Sequence, residues 1–327
     1  MRWCSFAVDG REHFGFVQGD AVVSYVEAAA ALGEAMLVRT LLEFVELGSP
    51  AWERSVTIAR RVAQNEVSVP RYGLDAVTWC APIRRPSKII GVPINNASVA
   101  RWAHRDFAEP AFFLKPPSAL TGHGQPVKVR KDYGLTHPEP ELAAIINRRA
   151  SNVSEADALQ YVFGYTIIND ITSPALKEQD SIELNVPKLP DPKITWRRLN
   201  SADDRSILLT YHTRSKGCDT FAPMGPCVVT PDEIGDPNQL EIRGWFGDEL
   251  VTQDSTANLR FSVQKVIATA SRYMTLEPGD IVHFGMAALP ALPDKYPTSW
   301  DLDMSRVSSI AVEIEGIGRL QNPVALS

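Results

Sequence analysis

Cysteine is scarce in this sequence, and no two cysteines form a C-x-x-C pair. The 327 residues include only four, Cys4, Cys80, Cys218 and Cys227. So few cysteines in so long a chain predict reduced thiols in a cytoplasmic protein rather than a disulfide framework. A structural zinc site is disfavoured for the same reason.

Long apolar runs and an excess of basic charge are absent as well. No run of about 18 apolar residues occurs, so we expect no membrane-spanning helix. The opening residues "MRWCSFAVDG" have no apolar stretch after Arg2, which argues against a signal peptide. The net charge of -6 leaves no basic surface for nucleic acid. We therefore expect a cytoplasmic protein with neither membrane nor nucleic-acid partners.

The chain has enough apolar residues for a large core, 44% in all, and it is too long for one small domain. Residues 1–80 have the pattern of a small α/β module. Strand-like segments are separated by Asp-Gly or Gly-Asp turns at 9–10 and 19–20, and two helical segments follow, "TLLEFVELG" and "SPAWERSVTIARRVAQNE". Gly48 is expected to end the first helix, and Ser49 to cap the second.

Residues 81–327 are dominated by strand signals, and three prolines in "WCAPIRRPSKIIGVPI" mark the boundary near residue 80. One helix is predicted in "SEADALQYVFG", with Ser154 as N-cap and Gly164 as terminator. The segment "YTIIND" then has the pattern of a buried strand that ends at Asp170. The prediction for the whole chain is a β-rich α+β fold.

Two glutamates lie two residues apart in "THPEPELAAII", where an apolar run begins. Residues i and i+2 of a strand point to the same face, so the carboxylates of Glu139 and Glu141 are expected to project together. Like charges this close repel, and a hard divalent cation such as Mg²⁺, Mn²⁺ or Ca²⁺ would remove the conflict. The alternative is that the pair forms the solvated face of an edge strand.

A third carboxylate, that of Asp170, ends the apolar strand "YTIIND". An acid in this position either caps a turn or serves a site, and the sequence alone does not bring it to the glutamates. His137 shares the strand face of Glu139. It is either a supporting partner of the glutamates or a structural histidine.

Several ordered segments resemble the fumarylacetoacetate hydrolase family from about residue 85 onwards. "FFLKPPSALTGHGQPV" resembles the family's F-F-x-K-P-x-S block, and "HPEPELAAII" resembles its E-x-E-L-A metal strand. "EADALQYVFGYTIINDIT" is similar to the segment with its third ligand, and "RSKGCDTFAPMGPCVVT" to the segment with its active-site lysine. "QDSTANLRFSV" and "EPGDIVHFG" resemble two later blocks. The resemblance implies a mixed β-sandwich or roll, with residues 1–80 as an accessory N-terminal module.

The resemblance also implies a divalent metal, Mg²⁺ or else Mn²⁺ or Ca²⁺, held by Glu139, Glu141 and Asp170. The ion would chelate a small-molecule 2-oxo acid, an acylpyruvate-like or 1,3-dicarbonyl compound, and stabilise the enolate released when a C–C bond breaks. Lys216 would lie near the developing oxyanion. Thr256, in "QDSTANLRF", matches a family threonine and is a candidate substrate-binding residue. A homodimer is the assembly that the family implies.

The residues that activate water in the family's hydrolases are not matched. The lid pattern G-x-N-Y-x-x-H-x-x-E, laid without gaps on "GVPINNASVA", puts Ala97 at the histidine and Ala100 at the glutamate. His104, together with Glu109, would be a substitute base if the lid is rearranged. The alternative places His104 in a charged surface loop.

The predicted substrate contacts also depart from the family pattern. Pro174 stands where the family has an arginine four residues after Asp170, and Phe284 and Met286 replace two threonines in the substrate-binding T-G-T-P turn. The prediction is a metal-dependent hydrolase that cleaves a C–C bond of a 2-oxo acid. Decarboxylation, isomerisation or hydration, which need only the metal and Lys216, are the alternatives, as is a family member that binds a ligand without catalysis.

Overall fold

The structure is a computed structural model that describes residues 1–34, 38–103, 106–185 and 206–327. It is a strand-rich α+β fold, as predicted. Within these ranges, no helix is long and apolar enough to cross a membrane.

The N-terminal part contains the predicted strands, turns and helices. Its elements are β1 (Arg2–Val8), β2 (Arg11–Gln18), β3 (Ala21–Ser24), α1 (Tyr25–Ala31), α2 (Leu41–Leu47), α3 (Ser49–Ala63), β4 (Tyr72–Gly73) and β5 (Thr78–Cys80). Gly48 has a φ of +77° and ends α2, as predicted. The same glycine is also the N-cap of α3, so the prediction of Ser49 as the cap is wrong. Ser49 is instead the first helical residue.

The rest of the chain is mostly strand. Its elements are β6 (Ile89–Gly91), α4 (Ala97–Ala100), β7 (Phe113–Lys115), β8 (Leu120–Thr121), β9 (Val127–Val129), β10 (Pro140–Ile146), β11 (Val162–Asn169), α5 (Pro174–Gln179), β12 (Ser181–Asn185), β13 (Ser206–Thr210), α6 (Thr213–Gly217), β14 (Ala222–Val229), α7 (Pro231–Ile234), β15 (Glu241–Phe246), β16 (Glu249–Ser255), α8 (Val263–Tyr273), β17 (Ile281–His283), β18 (Ser309–Ile314) and β19 (Gly318–Leu326). Short 3₁₀ turns join several of them.

One large sheet connects the N-terminal strands with the rest of the chain. Its order is β4-β3-β2-β1-β14-β11-β10-β17-β6-β7, with β5 on β1 and β8 on β14. β1 joins the two parts by antiparallel pairing with β14, in which Cys4 faces Cys227. Because β8 follows β7 after a short segment and pairs with β14, the sheet curls back towards its own middle. The division into domains 1–80 and 81–327 stays a prediction; strands from both parts share this sheet.

A second sheet has the order β16-β15-β18-β19-β9, and β12 and β13 form a separate hairpin. The central strands β10 and β11 are buried along their whole length. Leu142 faces a core that includes Ile242 of β15 and Val266 of α8. The next residue, Ala143, faces a second core that includes Phe44 of α2. A strand buried on both faces accounts for the continuous apolar run that follows the two glutamates.

The predicted helix from Ser154 to Gly164 is wrong. The cap itself forms, because the Ser154 hydroxyl accepts a hydrogen bond from the Asp157 N–H at 3.2 Å. Only a 3₁₀ turn at Ala158–Tyr161 follows, however, and β11 begins at Val162. Pairing with β10 overrides the local helical pattern, and successive residues of β11 are then buried in opposite cores.

Gly15 allows β2 and β3 to approach closely. A Cβ atom at this position would lie 1.9 Å from the carbonyl oxygen of Val23. We expect Gly15→Ala to lower the free energy of unfolding by about 3 kcal/mol, at the upper end of the cost of overpacking. Gly73→Ala is the matched control, because its nearest new neighbour, the Cβ of Ala76, would be 3.9 Å away. Urea unfolding measures both variants, and equal stabilities would contradict the close approach.

Candidate active site

Three carboxylates lie at one end of the β10–β11 pair. Glu139 immediately precedes β10, Glu141 lies within it, and Asp170 immediately follows β11. The Asp170 N–H donates to the Glu139 carbonyl oxygen at 2.9 Å, which makes these two residues cross-strand neighbours. Antiparallel pairing thus brings Asp170 to the two glutamates. The sequence alone did not predict this proximity.

Two lysines pair with two of these carboxylates, those of Glu139 and Asp170. The Lys216 ammonium donates to Glu139 Oε2 at 2.9 Å, to Asp170 Oδ2 at 2.5 Å and to Thr172 Oγ1 at 2.6 Å. The Lys115 ammonium donates to the other oxygen of Asp170, and its side chain is fully buried. Asp170 is therefore held between two positive charges. Lys115 was missed as a site residue, although it stands in the quoted segment "FFLKPPSA".

Burial and ion pairing act in opposite directions on these charges. Burial alone would raise the pKa of Asp170, but the ammonium groups of Lys115 and Lys216 hold that pKa well below its usual range. Burial alone would lower the pKa of Lys216, but Asp170 and Glu139 hold it well above its usual value. Asp170 and Lys216 are therefore both charged at neutral pH. For Lys115 burial outweighs the attraction of Asp170, and the pKa is lowered.

Glu141 is held from the other side by the segment around β17. His283 Nδ1 lies 2.7 Å from Glu141 Oε2, and the Gly285 N–H donates to the same oxygen at 2.7 Å. Burial raises the pKa of Glu141, with His283 opposing the shift. His283 was also missed as a site residue; the signal was its place in "EPGDIVHFG", next to an apolar strand.

Gly91 makes room for the His283 ring. One row of cross-strand partners runs from Ala143 through His283 and Gly91 to Phe113. A Cβ atom on Gly91 would lie 2.5 Å from His283 Nε2 and 2.2 Å from the Phe113 ring. Only glycine fits between these two rings, which fixes where the imidazole meets Glu141.

The donors present fit a divalent cation. Glu141, Asp170 and His283 each offer one ligand atom, and these atoms lie within 4.8 Å of one another. Carboxylate oxygens suit Mg²⁺, Mn²⁺ and Ca²⁺, and an imidazole is acceptable to Mn²⁺. His283 Nε2 is buried without a hydrogen-bond partner among the described residues. Glu139, whose carboxylate bonds to Lys216, does not belong to this group of atoms.

Comparison with known proteins agrees with this geometry. Residues 88–325 match the model of the fumarylacetoacetate (FAA) hydrolase C-terminal domain. The chain belongs to the fumarylacetoacetate hydrolase family. It is accordingly an enzyme, since members of this family include hydrolases, isomerases, decarboxylases and tautomerases.

Relatives within the family carry out different reactions. Oxaloacetate tautomerase of Bacillus subtilis is 29% identical over 286 residues, which cover 83% of each chain. The 4-hydroxyphenylacetate degradation bifunctional isomerase/decarboxylase of Escherichia coli is 35% identical over 219 residues, or 66% of this chain and 41% of that protein. Maleylpyruvate hydrolase from Sphingobium sp. SYK-6, solved with manganese(II) and pyruvate, is 26% identical with a TM-score of 0.70, and the match covers 100% of both chains.

The segment that matches the family's lid carries no acid–base side chain at the two aligned positions. Ala97 and Ala100 lie at the two ends of the short helix α4. Both line a cavity of about 360 Å³, whose walls are Ala97, Ala100, Arg101, Ala103, Asp106 and Arg260. Glu109, named with His104 as a substitute, is held by Arg272 at 2.5 Å. His104 lies outside the described residues, so its role stays a prediction.

The remaining predicted residues have contacts of their own. The Thr256 hydroxyl accepts a hydrogen bond from the Leu240 N–H at 2.8 Å. Phe284 is fully buried in the core beside α8, and Met286 is half-buried next to Pro138 and Pro140. None of these contacts joins Thr256, Phe284 or Met286 to the described carboxylates, and their role in substrate binding stays a prediction.

His137 is fully buried near the carboxylates. Its Nδ1 lies 3.8 Å from Glu139 Oε1, and both ring nitrogens lack hydrogen-bond partners among the described residues. Burial lowers its pKa, so the ring is neutral at pH 7.

We expect one divalent cation to bind at this cluster. Calorimetry of the metal-stripped protein with Mn²⁺ should show a single site that is lost in Glu141→Ala, because Glu141 belongs to both candidate ligand sets. Glu139→Gln should also abolish binding, and His283→Gln should weaken it by about 10–100-fold through loss of the hydrogen bond that orients Glu141. The control is Glu46→Gln, which removes an exposed carboxylate.

Two outcomes would revise this assignment. If Glu141→Ala bound Mn²⁺ with an affinity comparable to that of the wild type, the cation would not bind at this cluster. Unchanged binding in Glu139→Gln, together with none in His283→Gln, would make Glu141, Asp170 and His283 the ligands.

Lys216 should control the acid stability of the metal-free protein. Asp170 has a lowered pKa, so its charge stabilises the fold above its unfolded-state pKa, and this stabilisation is lost as the pH falls through its folded-state pKa. Lys216→Met removes one counter-charge. The acid limb of stability should therefore move up by about one pH unit or more, and stability at pH 7 should fall by roughly 3 kcal/mol.

The measurement is urea unfolding in EDTA across the acid range. Lys128→Met, which removes an exposed lysine, should leave the curve unchanged. An acid limb that is identical in wild type and Lys216→Met would show that Lys216 does not hold Asp170 ionised.

Proposed function

We propose that this enzyme binds a divalent cation and converts a short 2-oxo acid, of the acylpyruvate or β-oxo diacid type, through its enolate. The observation that carries the proposal is the ammonium group of Lys216, fixed by Glu139 and Asp170 beside a cluster of cation ligands. These carboxylates raise the pKa of Lys216, so the lysine is protonated at neutral pH and does not act as a base there. It can hold negative charge that develops on a substrate oxygen.

The residues of the chain divide the work at this site. A bound cation supplies Lewis-acid polarisation of the 2-oxo and carboxylate oxygens. Lys216 stabilises the enolate oxygen, while Lys115 keeps Asp170 ionised from the opposite side. His283 and the Gly285 N–H hold Glu141 in one orientation. Because these groups are buried and already bonded, they need little reorganisation when charge develops.

Reactions that stop at the enolate are favoured over hydrolysis. Tautomerisation and decarboxylation require no attacking water, and Ala97 and Ala100 offer no side chain that would activate one. The similarity to an oxaloacetate tautomerase and to an isomerase/decarboxylase supports this choice. An oxaloacetate-like diacid is the substrate that the similarity to the tautomerase supports.

C–C bond hydrolysis is the second candidate. It is supported by the match to maleylpyruvate hydrolase over the whole of both chains. Hydrolysis would require a base to activate water, and Glu109 is engaged by Arg272. His104 is the remaining residue that the sequence suggests. The identity of the cation, a homodimeric assembly and a cytoplasmic location also stay predictions.

The two candidates separate on one set of assays. With Mn²⁺ present, we expect the wild type to accelerate keto–enol exchange or decarboxylation of oxaloacetate, and to hydrolyse an acylpyruvate slowly or not at all. Lys216→Met should lower kcat by about 10²–10³, the effect of losing one oxyanion donor, with Mn²⁺ affinity little changed. His104→Ala should leave kcat within about threefold.

Other results would favour the alternatives. Fast acylpyruvate hydrolysis that drops by about 10²–10⁴ in His104→Ala would identify a hydrolase with a rearranged lid. Full turnover in Lys216→Met would remove that lysine from the mechanism.

A further inference from the structure

His212 lies one helical turn before Lys216. The Lys216 N–H donates to the His212 carbonyl oxygen at 3.1 Å, and His212 is the N-cap of α6. Residues four apart on a helix are neighbours on one side of it. The start of α6 therefore carries an imidazole four residues before the ammonium group that holds Glu139 and Asp170.

Phe113 connects His212 to the charged cluster. The centre of its ring lies 6.1 Å from the centre of the His212 ring and 4.8 Å from Lys216 Nζ. The centre of the His283 ring is 5.5 Å away from it. One aromatic ring therefore lies close to His212, Lys216 and His283.

His212 is only half-buried and has one unpartnered ring nitrogen, whereas His137 and His283 Nε2, which also lack hydrogen-bond partners among the described residues, are fully enclosed. Its Nδ1 is buried without a hydrogen-bond partner among the described residues, while the residue as a whole is half-buried. The ammonium groups of Lys115 and Lys216 are paired with carboxylates, and His283 Nδ1 is bonded to Glu141. His137 is fully enclosed.

Enolate formation needs a group that accepts a proton from the carbon next to the 2-oxo carbon. We propose that His212 is this group, an inference that rests on the proposed function. The C3–H bond of the substrate breaks and an N–H bond forms on the imidazole. The C–H electron pair becomes the C2–C3 double bond, and the carbonyl pair moves to the oxygen beside Lys216. Return of the proton from the imidazolium to that oxygen gives the enol, and return to C3 gives back the ketone.

The surroundings of His212 favour its neutral, basic form. Burial lowers its pKa below the ordinary 6.5, and Lys177 and Lys216 lower it further, while Asp170 and Asp180 oppose the shift. The imidazole is then uncharged at pH 7 and holds a free electron pair. As the pH falls through its pKa the ring becomes protonated, so the rate of proton abstraction should fall on the acid side.

The experiment uses NMR to follow the exchange of the C3 protons of pyruvate with D₂O. The enzyme is saturated with Mn²⁺, and the blank contains Mn²⁺ without enzyme. His212→Asn should lower the enzyme-dependent exchange rate by about 10²–10⁴ and remove its acid limb. The affinity of the His212→Asn variant for oxalate, which resembles the enolate and has no C–H bond, should stay within about threefold of that of the wild type. Tyr211→Phe, which changes an exposed neighbour in the same segment, should exchange as fast as wild type. His104→Ala is measured beside it as the competing assignment of the base.

Each result other than the expected one has a single interpretation. Exchange by His212→Asn within about threefold of wild type overturns the assignment and leaves the proposed function standing. Loss of oxalate binding in His212→Asn also overturns it, because the residue would then hold the site together rather than move a proton. A large loss in His104→Ala would assign the base to that residue instead. No exchange by the wild type, on pyruvate or on oxaloacetate, overturns both the proposed function and the role of His212.

Discussion

The carboxylate of Asp170 is fully buried at the end of the central strand pair, and much of the site is arranged to keep it ionised there. An unpaired carboxylate in such a place would cost several kcal/mol or take up a proton. Lys115 and Lys216 prevent this, one on each oxygen. They come from segments about 100 residues apart in sequence, so the charge balance depends on the closure of the large sheet. Lys115 reaches Asp170 because β8 carries the chain after β7 back to β14.

The connection between Asp170 and Lys216 shows how the chain protects this arrangement. The segment between them contains α5, the β12–β13 hairpin and α6. The excursion is closed at its base, where the Ser173 N–H donates to the Ser215 carbonyl oxygen at 2.8 Å. Changes further out in the hairpin are thereby separated from the ion pair. His212 lies three residues before Ser215 and so belongs to the base of this excursion.

The chemistry available at the site follows from which groups are paired and which are free. Lys216 is fixed and cationic, so it suits the stabilisation of an anion rather than the removal of a proton. Glu141 is fixed by His283 and Gly285, so it suits the holding of a cation. Ala97 and Ala100 stand at the two positions that the lid pattern, laid without gaps on the sequence, assigns to a histidine and a glutamate. These residues are all consistent with enolate chemistry that requires no attack by water.

The sequence by itself determined the features that depend on neighbouring residues. Strand alternation predicted Glu139 and Glu141 on one face, glycine conformation ended α2 at Gly48, and apolar runs marked the buried strands. The order of the segments that resemble family blocks also identified the family, and that resemblance made Asp170 and Lys216 candidate site residues. These are properties of a few consecutive side chains or of short patterns, which do not require knowledge of what packs against them.

Only the tertiary structure decided the features that depend on strand pairing. The segment after Ser154 became a strand because pairing with β10 outweighed its helical pattern. Lys115 and His283 joined the site because β7 and β17 belong to the same curled sheet as β10 and β11. His212 became a candidate base because the Phe113 ring of β7 lies close to it, to Lys216 and to His283. Each of these contacts joins residues that are distant in sequence, and no local periodicity records such a distance.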